Sequence, residues 1–360
     1  MEKIRVLVVD DSVVVRRILT EELTAQPDLE VAGTASTGRI AVAKMSQLTP
    51  DLVILDVEMP DMDGLAALAQ IQKSHPFTPV IMFSALTELG AAATLEALSL
   101  GASDFFAKPG GPGGIEESRK ILRQELIPAI RALCAKKSPT LTSGSKSTGD
   151  LRPPAPAGSV RAPVASSRID LLAIGASTGG PNALAEIFLA LPPDFPVPIV
   201  VVQHMPPMFT RLLSERLSKN SEIPTVEAAS GVELTPGKAW MAPGDYHLEV
   251  VRQGTRLVTR VHQDAPENSC RPAVDPLFRS AAKACGANCL AVVLTGMGQD
   301  GLRGCEAIRA AGGQILTQDE LTSVVWGMPG FVARAGLADK VLPLPLLARE
   351  IIRRIGIGRG

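Results

Sequence analysis

Short apolar runs alternate with amphipathic segments along most of the chain, and each run stops at a polar residue or a glycine. The first run is Ile4 to Val9, and four more follow before residue 107. The segment after the first run has apolar residues at helical spacing, including Val15, Ile18 and Leu19. Because buried parallel strands are continuous apolar runs joined by helices, this half of the chain predicts a (βα)5 unit with a parallel sheet.

A second series of apolar runs begins after residue 168. Continuous runs at Leu171 to Ile174, Val197 to Gln203 and Cys289 to Leu294 predict buried parallel strands. The segment from His247 to His262 alternates instead, and Gln253-Gly254 in its middle predicts a hairpin turn. The second half is therefore predicted to be a doubly wound, mainly parallel α/β sheet with a small antiparallel hairpin that serves packing.

The stretch between the two halves is rich in Pro, Ser, Thr and Gly and nearly free of large apolar residues. Such a composition cannot bury a core, so it predicts a mobile tether. The expected domain limits are 1–134 for the first unit, 135–168 for the tether and 169–360 for the second unit.

Composition narrows the possible partners and compartments. The 360 residues carry 36 Lys and Arg against 37 Asp and Glu, a formal charge of -1, so no overall field favours nucleic acid or a membrane surface. No apolar stretch approaches the roughly 20 residues of a membrane span, and the start lacks the pattern of a signal peptide. The five cysteines form no C-x-x-C pair, which predicts reduced thiols in a cytoplasmic protein.

Polar residues gather where strands of the first unit end. Asp10 and Asp11 follow the first strand, Asp56 the third, Ser84 the fourth and Lys108 the fifth. The carboxyl ends of parallel strands meet at one edge, so these residues should lie together. Three clustered carboxylates repel one another unless a hard cation such as Mg2+ joins them. Any one of the acids could instead only cap a helix, but this explanation does not fit five matching residues.

At these residues the first unit resembles the receiver domain of bacterial response regulators, a flavodoxin-like fold. The run Asp56-Val57-Glu58-Met59-Pro60 is typical of that family. The resemblance implies that Asp56 accepts a phosphoryl group from a histidine kinase. It also implies roles for the following residues: Asp10, Asp11, Asp56 and the carbonyl of Glu58 in holding Mg2+, Lys108 in contacting the phosphoryl group, and Ser84 with Phe105 in switching.

In the second unit, a small-residue turn carries one serine between a strand and a helix. Gly175 to Gly179 is a G-x-S-x-G pattern around Ser177, which predicts a nucleophile on a sharp turn. On that pattern alone, a serine that merely caps the helix is equally acceptable. His204 and Asp300 follow the two other predicted strands and would meet Ser177 at one sheet edge. We therefore predict acyl transfer by a Ser-His-Asp triad, with His204 as base.

The tetrahedral intermediate of that reaction needs backbone donors. The N-H of Thr178, next to the nucleophile, is one candidate, and the N-H of Met297 is a second. The chain order Ser, His, Asp differs from that of the α/β-hydrolases, which excludes that family.

Two other functions compete with an esterase. Gly296 to Gly301 is formally G-x-G-x-x-G between a strand and a helix, and Asp319 follows the next strand, as in a dinucleotide site. That hypothesis leaves Ser177, His204 and the receiver-like unit unexplained. A second unit that only binds DNA would need a compact helical module with a basic face, which a large, near-neutral α/β unit does not offer.

The combination of GASTGG, QHM and TGMGQDG behind a receiver resembles the chemotaxis protein-glutamate methylesterases of bacteria over the whole chain. The resemblance implies hydrolysis of glutamate γ-methyl esters on chemoreceptors with release of methanol, and deamidation of receptor glutamines. It implies no cofactor in the esterase site and a monomer. It also suggests that residues 268–278 lie near the substrate entrance, with Arg271 as a candidate receptor contact, although a packing role is equally compatible. We further expect the unphosphorylated receiver to cover the triad.

Overall fold

The structure is a computed structural model that describes residues 3–85, 87–108, 116, 119–120, 122–135 and 168–357. The predicted tether lies outside these ranges except for its two end residues. The first unit contains a five-stranded parallel sheet in the order β2-β1-β3-β4-β5. Its strands are β1 (Ile4–Val9), β2 (Leu29–Ala35), β3 (Leu52–Asp56), β4 (Val80–Ser84) and β5 (Asp104–Ala107). The prediction of a (βα)5 parallel sheet agrees with this arrangement.

Helices connect these strands, and most begin at a side-chain cap. Their bounds are α1 (Val13–Thr24), α2 (Gly38–Leu48), α3 (Gly64–Ser74), α4 (Glu88–Ser99) and, after a π-helical turn at Leu122–Leu126, α5 (Ile127–Cys134). The side chains of Ser12, Thr37, Asp63 and Thr87 each accept a hydrogen bond from a backbone N-H in the first turn of the helix that follows. The caps satisfy backbone N-H groups that have no hydrogen-bond partner within the first turn of a helix. The capping residues therefore determine where these four helices begin.

The second unit contains a seven-stranded sheet in the order β14-β13-β12-β6-β7-β9-β8, and all its pairings are parallel. The strands are β6 (Leu171–Ala176), β7 (Ile199–Gln203), β8 (Thr225–Glu227), β9 (Ala239–Met241), β12 (Cys289–Val293), β13 (Gln314–Gln318) and β14 (Lys340–Leu342). Strands β7, β9 and β8 lie on one side of β6, and β12, β13 and β14 lie on the other. The crevice between such neighbouring strands is where parallel α/β sheets place their sites.

Helices cover both faces of this sheet. They are α6 (Gly180–Ala190), α7 (Phe209–Asn220), α8 (Val274–Cys285), α9 (Leu302–Ala310), α10 (Met328–Arg334) and α11 (Leu344–Gly356). Strand β6 shows why its sequence is continuously apolar. Leu172 and Ile174 belong to the hydrophobic cluster on one face, and Leu171 and Ala173 to the cluster on the other. Both faces of the strand are buried, so no polar residue is tolerated along it.

The predicted hairpin is present as β10 (His247–Gln253) and β11 (Arg256–His262), which pair antiparallel and lie outside the large sheet. From its sequence, the whole region from Pro224 to His262 is expected to form short strands of one antiparallel insertion. That expectation was wrong for β8 and β9, which extend the large sheet as parallel strands. Strands of three residues are too short to show a period of hydrophobic residues. Their parallel direction therefore could not be predicted from the sequence.

The two units share one hydrophobic cluster. It contains Leu95 and Leu98 of α4 together with Leu184 of α6 and Leu213 of α7. Within the described ranges, no helix is both long and apolar enough to cross a membrane.

Candidate active site and acidic cluster

The nucleophile turn follows β6 directly and is anchored to the neighbouring strands. The N-H of Gly180 donates to the carbonyl oxygen of Ser177 at 2.7 Å, and the N-H of Ser177 donates to the carbonyl of Thr295 at 3.0 Å. Gly179 has a φ of 75°, a conformation that a residue with a Cβ adopts at a cost. A Cβ at Gly296 would lie 2.8 Å from the Cβ of Ser177, so that glycine gives the serine its space.

His204 and Asp300 lie at the ends of β7 and β12, the strands on either side of β6. Nε2 of His204 and Oδ2 of Asp300 are 2.8 Å apart. The His204 backbone N-H donates to the carbonyl of Ala176 at 3.1 Å, which joins the histidine to the residue before Ser177. Among the described residues, no hydrogen-bond partner lies within reach of the Ser177 hydroxyl. The three predicted triad residues therefore share one sheet edge, and the His-Asp pair is already formed.

Asp300 is held by the start of α8. Its Oδ2 accepts from the N-H of Val274 at 2.6 Å, and its Oδ1 from the N-H of Asp275 at 3.1 Å and of Gly301 at 2.9 Å. Burial acts to raise the pKa of Asp300, but His204 and these N-H groups outweigh it and hold the pKa below its usual value. The carboxylate thus stays ionised beside the imidazole.

Residues that the sequence did not single out complete the surroundings of Asp300. Nδ2 of Asn268 donates to Oδ1 of Asp300 at 2.8 Å and to Oδ2 of Asp275 at 3.0 Å. Burial and the charge of Asp300 raise the pKa of Asp275. Both residues belong to the stretch 268–278, but no spacing in the sequence showed that it reaches a strand end 25 residues further along the chain.

The ring of His204 has a second neighbour, Cys270. Its Sγ lies 3.5 Å from Nδ1 of His204. Burial acts to lower the pKa of the imidazole, but Cys270 and Asp300 outweigh it and raise the pKa above its usual value. All five cysteines were expected to be ordinary reduced thiols, and Cys270 is the exception.

Arg271 is engaged by its own protein. Its Nη2 donates to Oδ1 of Asp245 at 2.6 Å, and its Nη1 donates to the carbonyls of Gln263 and Asp264, each at 3.1 Å. These bonds fix the loop before α8. The contacts favour a packing role, and the predicted receptor contact stays a prediction.

The dinucleotide alternative finds no support in these contacts. The N-H of Gly301 is occupied by Asp300, and Oδ1 of Asp319 accepts from the N-H and the hydroxyl of Thr322 at 3.0 and 2.6 Å. Asp319 thus closes its own turn.

The receiver contacts the turn that carries the nucleophile. The carboxylate of Asp104, at the start of β5, faces the side chain of Thr178 in the nucleophile turn. Burial raises the pKa of Asp104 to about 6. The ring of Phe105 stacks on that of Phe209 at the start of α7, with 4.6 Å between centroids. Phe106 shares a hydrophobic cluster with Met297 of the predicted oxyanion loop.

Helix α4 extends the same contact. Nδ2 of Asn182 donates to the carbonyl of Leu98, and Nη1 of Arg216 donates to that of Leu95, each at 2.7 Å. At the rim, Nη2 of Arg211 lies 2.6 Å from Oε1 of Glu88. The receiver thus packs beside the candidate active site through α4 and β5.

The acidic residues of the receiver gather as predicted. Asp10, Asp11 and Asp56 each present a carboxylate oxygen within 4.8 Å of the others. Nζ of Lys108 lies 2.8 Å from Oδ2 of Asp10 and 2.7 Å from Oδ2 of Asp56. Burial, together with the charge of Asp10, raises the pKa of Asp56 to about 6 although Lys108 opposes the shift. A cation would offset this crowding, so the donor set fits a hard divalent ion.

Two further predicted residues border this cluster. Glu58 and Asp11 line an open cleft of about 550 Å3, and the N-H of Glu58 donates to Oδ1 of Asp56 at 3.3 Å. Ser84 is fully buried, and its hydroxyl donates to the carbonyl of Ala85 at 3.3 Å.

Comparison with known proteins places the chain in a family. Residues 172–351 match the model of the CheB methylesterase, and residues 6–119 match that of the response regulator receiver domain. The protein-glutamate methylesterase/protein-glutamine glutaminase of Trichodesmium erythraeum is 50% identical over 99% of this chain and 100% of its own length. The protein of that name from a Nocardioides species is 50% identical over 99% of this chain and 96% of its own.

A solved structure resembles the second unit. The crystal structure of the Thermotoga maritima CheB methylesterase catalytic domain matches with a TM-score of 0.51 and 42% identity, over 52% of this chain and 99% of that one. The predicted receiver and the predicted esterase are both confirmed at the level of the family. The chain belongs to the CheB methylesterase family and is a methylesterase enzyme that carries a response regulator receiver domain in front of its catalytic domain.

Proposed function

We propose that the enzyme hydrolyses glutamate γ-methyl esters on chemoreceptors, releasing methanol, and deamidates receptor glutamines, with Ser177, His204 and Asp300 as its triad. The observation that carries the proposal is the 2.8 Å contact between His204 and Asp300 beside the Ser177 turn. Asp300 occupies Nε2, so Nδ1 of His204 is the nitrogen that takes the Ser177 proton. Ser177 attacks the γ-carbonyl, and His204 returns the proton to the leaving methanol or ammonia. Water then cleaves the acyl-serine by the same route.

The proposed oxyanion donors are the N-H groups of Thr178 and Met297. In the described parts of the chain, neither N-H donates a hydrogen bond to another protein group. Thr178 follows the nucleophile at the start of α6, where backbone donors and the helix dipole favour negative charge. Free, fixed donors of this kind stabilise the developing oxyanion more than the ground-state carbonyl.

The proposed switch is phosphorylation of Asp56 by a histidine kinase. Asp10, Asp11, Asp56 and the carbonyl of Glu58 would hold Mg2+, which would offset the charge of the incoming phosphoryl group. Lys108 already bridges Asp10 and Asp56 and is well situated to contact the phosphoryl oxygens. Ser84 and Phe105 would respond to it.

We propose that the unphosphorylated receiver keeps receptor substrates away from the triad. The contacts of Asp104 with Thr178 and of Phe105 with Phe209 support this, because both lie between the receiver and the nucleophile turn or α7. A phosphorylated receiver that repacks β5 would weaken them. The proposed domain limits remain 1–134, 135–168 and 169–360, and a cytoplasmic monomer is proposed.

The test is methanol release from methylated receptor membranes by wild type and Ser177→Ala, each with and without a small-molecule phosphodonor and Mg2+. We expect release that rises with the phosphodonor and is absent in Ser177→Ala. Methanol release by Ser177→Ala would contradict the proposal that Ser177 is the nucleophile. Release by wild type that is unchanged by the phosphodonor would contradict the proposed phosphorylation switch.

A further inference from the structure

The two ring nitrogens of His204 have different partners, and this difference identifies the reactive one. Nε2 faces the carboxylate of Asp300, which can only accept a hydrogen bond, so Nε2 carries a proton. Nδ1 is therefore the lone-pair nitrogen of the neutral ring and the only one that can serve as general base. In this structure Nδ1 faces the Sγ of Cys270 at 3.5 Å, within hydrogen-bonding range for sulfur.

The loop around Cys270 is fixed on both sides, so the contact with His204 is built into the fold. Glu267 and Cys270 exchange two backbone hydrogen bonds, of 3.1 and 2.8 Å. Asn268, within this turn, is tied to Asp300 and Asp275. Arg271, the next residue, is held by Asp245. These bonds hold the backbone of Cys270 beside the imidazole.

Cys270 also differs from the other cysteines, all of which lie in the described ranges. Cys134, Cys285, Cys289 and Cys305 are buried, whereas Cys270 is partly exposed. It is thus the cysteine that both touches the base and can be reached from solvent.

We propose that Cys270 is a positioning residue of the esterase: its thiol engages Nδ1 of His204, the nitrogen that must accept the Ser177 proton, and so sets how much of the enzyme has a free base. The inference rests on the triad proposed above. In this contact the proton moves from sulfur to Nδ1 and gives a thiolate beside an imidazolium, which is the form in which Cys270 raises the pKa of His204. Nδ1 then has no lone pair to offer Ser177.

The charged surroundings give this proposal a pH signature. The ionisable groups that face His204 are Asp300, from the loop after β12, and Cys270, from the loop before α8. Asp275, from α8, lies one contact further away. Both direct neighbours raise the pKa of His204. Removal of the thiol leaves Asp300 alone, so the pKa of the base should fall and more of it should be neutral at pH 7.

The experiment is a pH profile of kcat/KM for methanol release by the full-length, phosphodonor-activated enzyme as wild type, Cys270→Ala and Cys270→Ser. We expect the acid-limb midpoint of Cys270→Ala to move down by about one pH unit, which is roughly a tenfold gain below both midpoints and none above them. Cys270→Ser also carries no charge at this position, so its midpoint should move down at least as far as that of Cys270→Ala. An unchanged midpoint overturns the proposal. A total loss of activity in Cys270→Ala also overturns it, since the thiol would then be needed for the chemistry itself.

Alkylation provides a second measurement. A small maleimide adds its ring carbon to the Cys270 sulfur, and the thiol proton ends on the neighbouring carbon. The added group should block Nδ1, so wild type and the matched control Cys285→Ala should lose activity while Cys270→Ser keeps it. Inactivation of Cys270→Ser at the wild-type rate would contradict the proposal. Ser177→Ala is assayed in parallel: if it remains active the triad is wrong, whereas if it is inactive and the Cys270 results fail, only this inference falls.

Discussion

The carboxylate of Asp300 is buried, yet its pKa lies below the usual value. Burial alone would neutralise it, since an ionised group loses its hydration. Besides His204, four donors within 3.1 Å replace that hydration: the N-H groups of Val274 and Asp275 at the start of α8, the N-H of Gly301 before α9, and the amide of Asn268. His204 and these donors therefore keep the carboxylate ionised.

Asp300→Asn should show what this charge does. The amide keeps the size of the side chain but cannot stabilise an imidazolium, and it favours the wrong tautomer of His204. We expect kcat to fall by about 10^4-fold, the scale of the same change in other triads. Methanol release at saturating receptor measures it. Asp275→Asn is the matched control, because it makes the same change at a neighbouring carboxylate that accepts from Asn268 and Gly304 and not from His204. Equal losses in both variants would mean that packing, not charge, was measured.

The strands that precede the proposed triad residues were predictable, whereas the loop that surrounds these residues was not. A continuous apolar run predicts a buried parallel strand, and the segment after it must lie at the sheet edge, which placed Ser177, His204 and Asp300 at one edge. Asn268 and Cys270 sit in a loop with positive φ at Asn268. No period describes such a loop, and its contact with Asp300 depends on how α8 packs against the sheet. The parallel direction of β8 and β9 could not be predicted for a related reason, since a strand of three residues shows no hydrophobic pattern.

Among the elements, β5 connects the proposed phosphorylation switch to the catalytic domain. A substitution of Phe105 tests this connection. The ring stacks on Phe209, a contact of about 0.5–1.5 kcal/mol beyond the area it buries. Phe105→Ala should therefore raise the activity of the unphosphorylated enzyme by at least about two- to tenfold.

The assay for this variant is methanol release without phosphodonor. Glu88→Gln is the control at the same interface, since its exposed pair with Arg211 contributes at most about 1 kcal/mol and often nothing measurable. An unphosphorylated Phe105→Ala enzyme no faster than wild type would show that the stack does not restrain the enzyme.

Over the whole molecule, the association of receiver and catalytic domain should depend on pH through Asp104. Burial raises its pKa from 3.8 to about 6 although Thr178 opposes the shift, and the solvent exposure that follows separation should return the pKa toward the ordinary value. Stabilisation of the closed arrangement by the bound proton is complete below about pH 4 and is lost as pH rises through about 6. Acidification from pH 7 to 5 should thus tighten the contact.

Amide hydrogen exchange of α4 and α7, corrected for the intrinsic pH dependence of exchange, measures this tightening. Asp104→Asn carries no titratable group and should exchange slowly at both pH values, with a lower basal activity at pH 7. If wild type and Asp104→Asn respond identically to pH, another group controls the contact.

The hydrophobic cluster that joins α4 to α6 and α7 has a consequence for how such proteins can be recombined. From the sequence, the receiver and the enzyme are two independent domains joined by a linker. In the structure, side chains such as Leu98 and Leu213 belong to one shared hydrophobic cluster. A receiver taken from another regulator would therefore bring a surface that is not complementary to this catalytic domain. The unit that can be exchanged without loss of control is the receiver together with the matching face of α6 and α7.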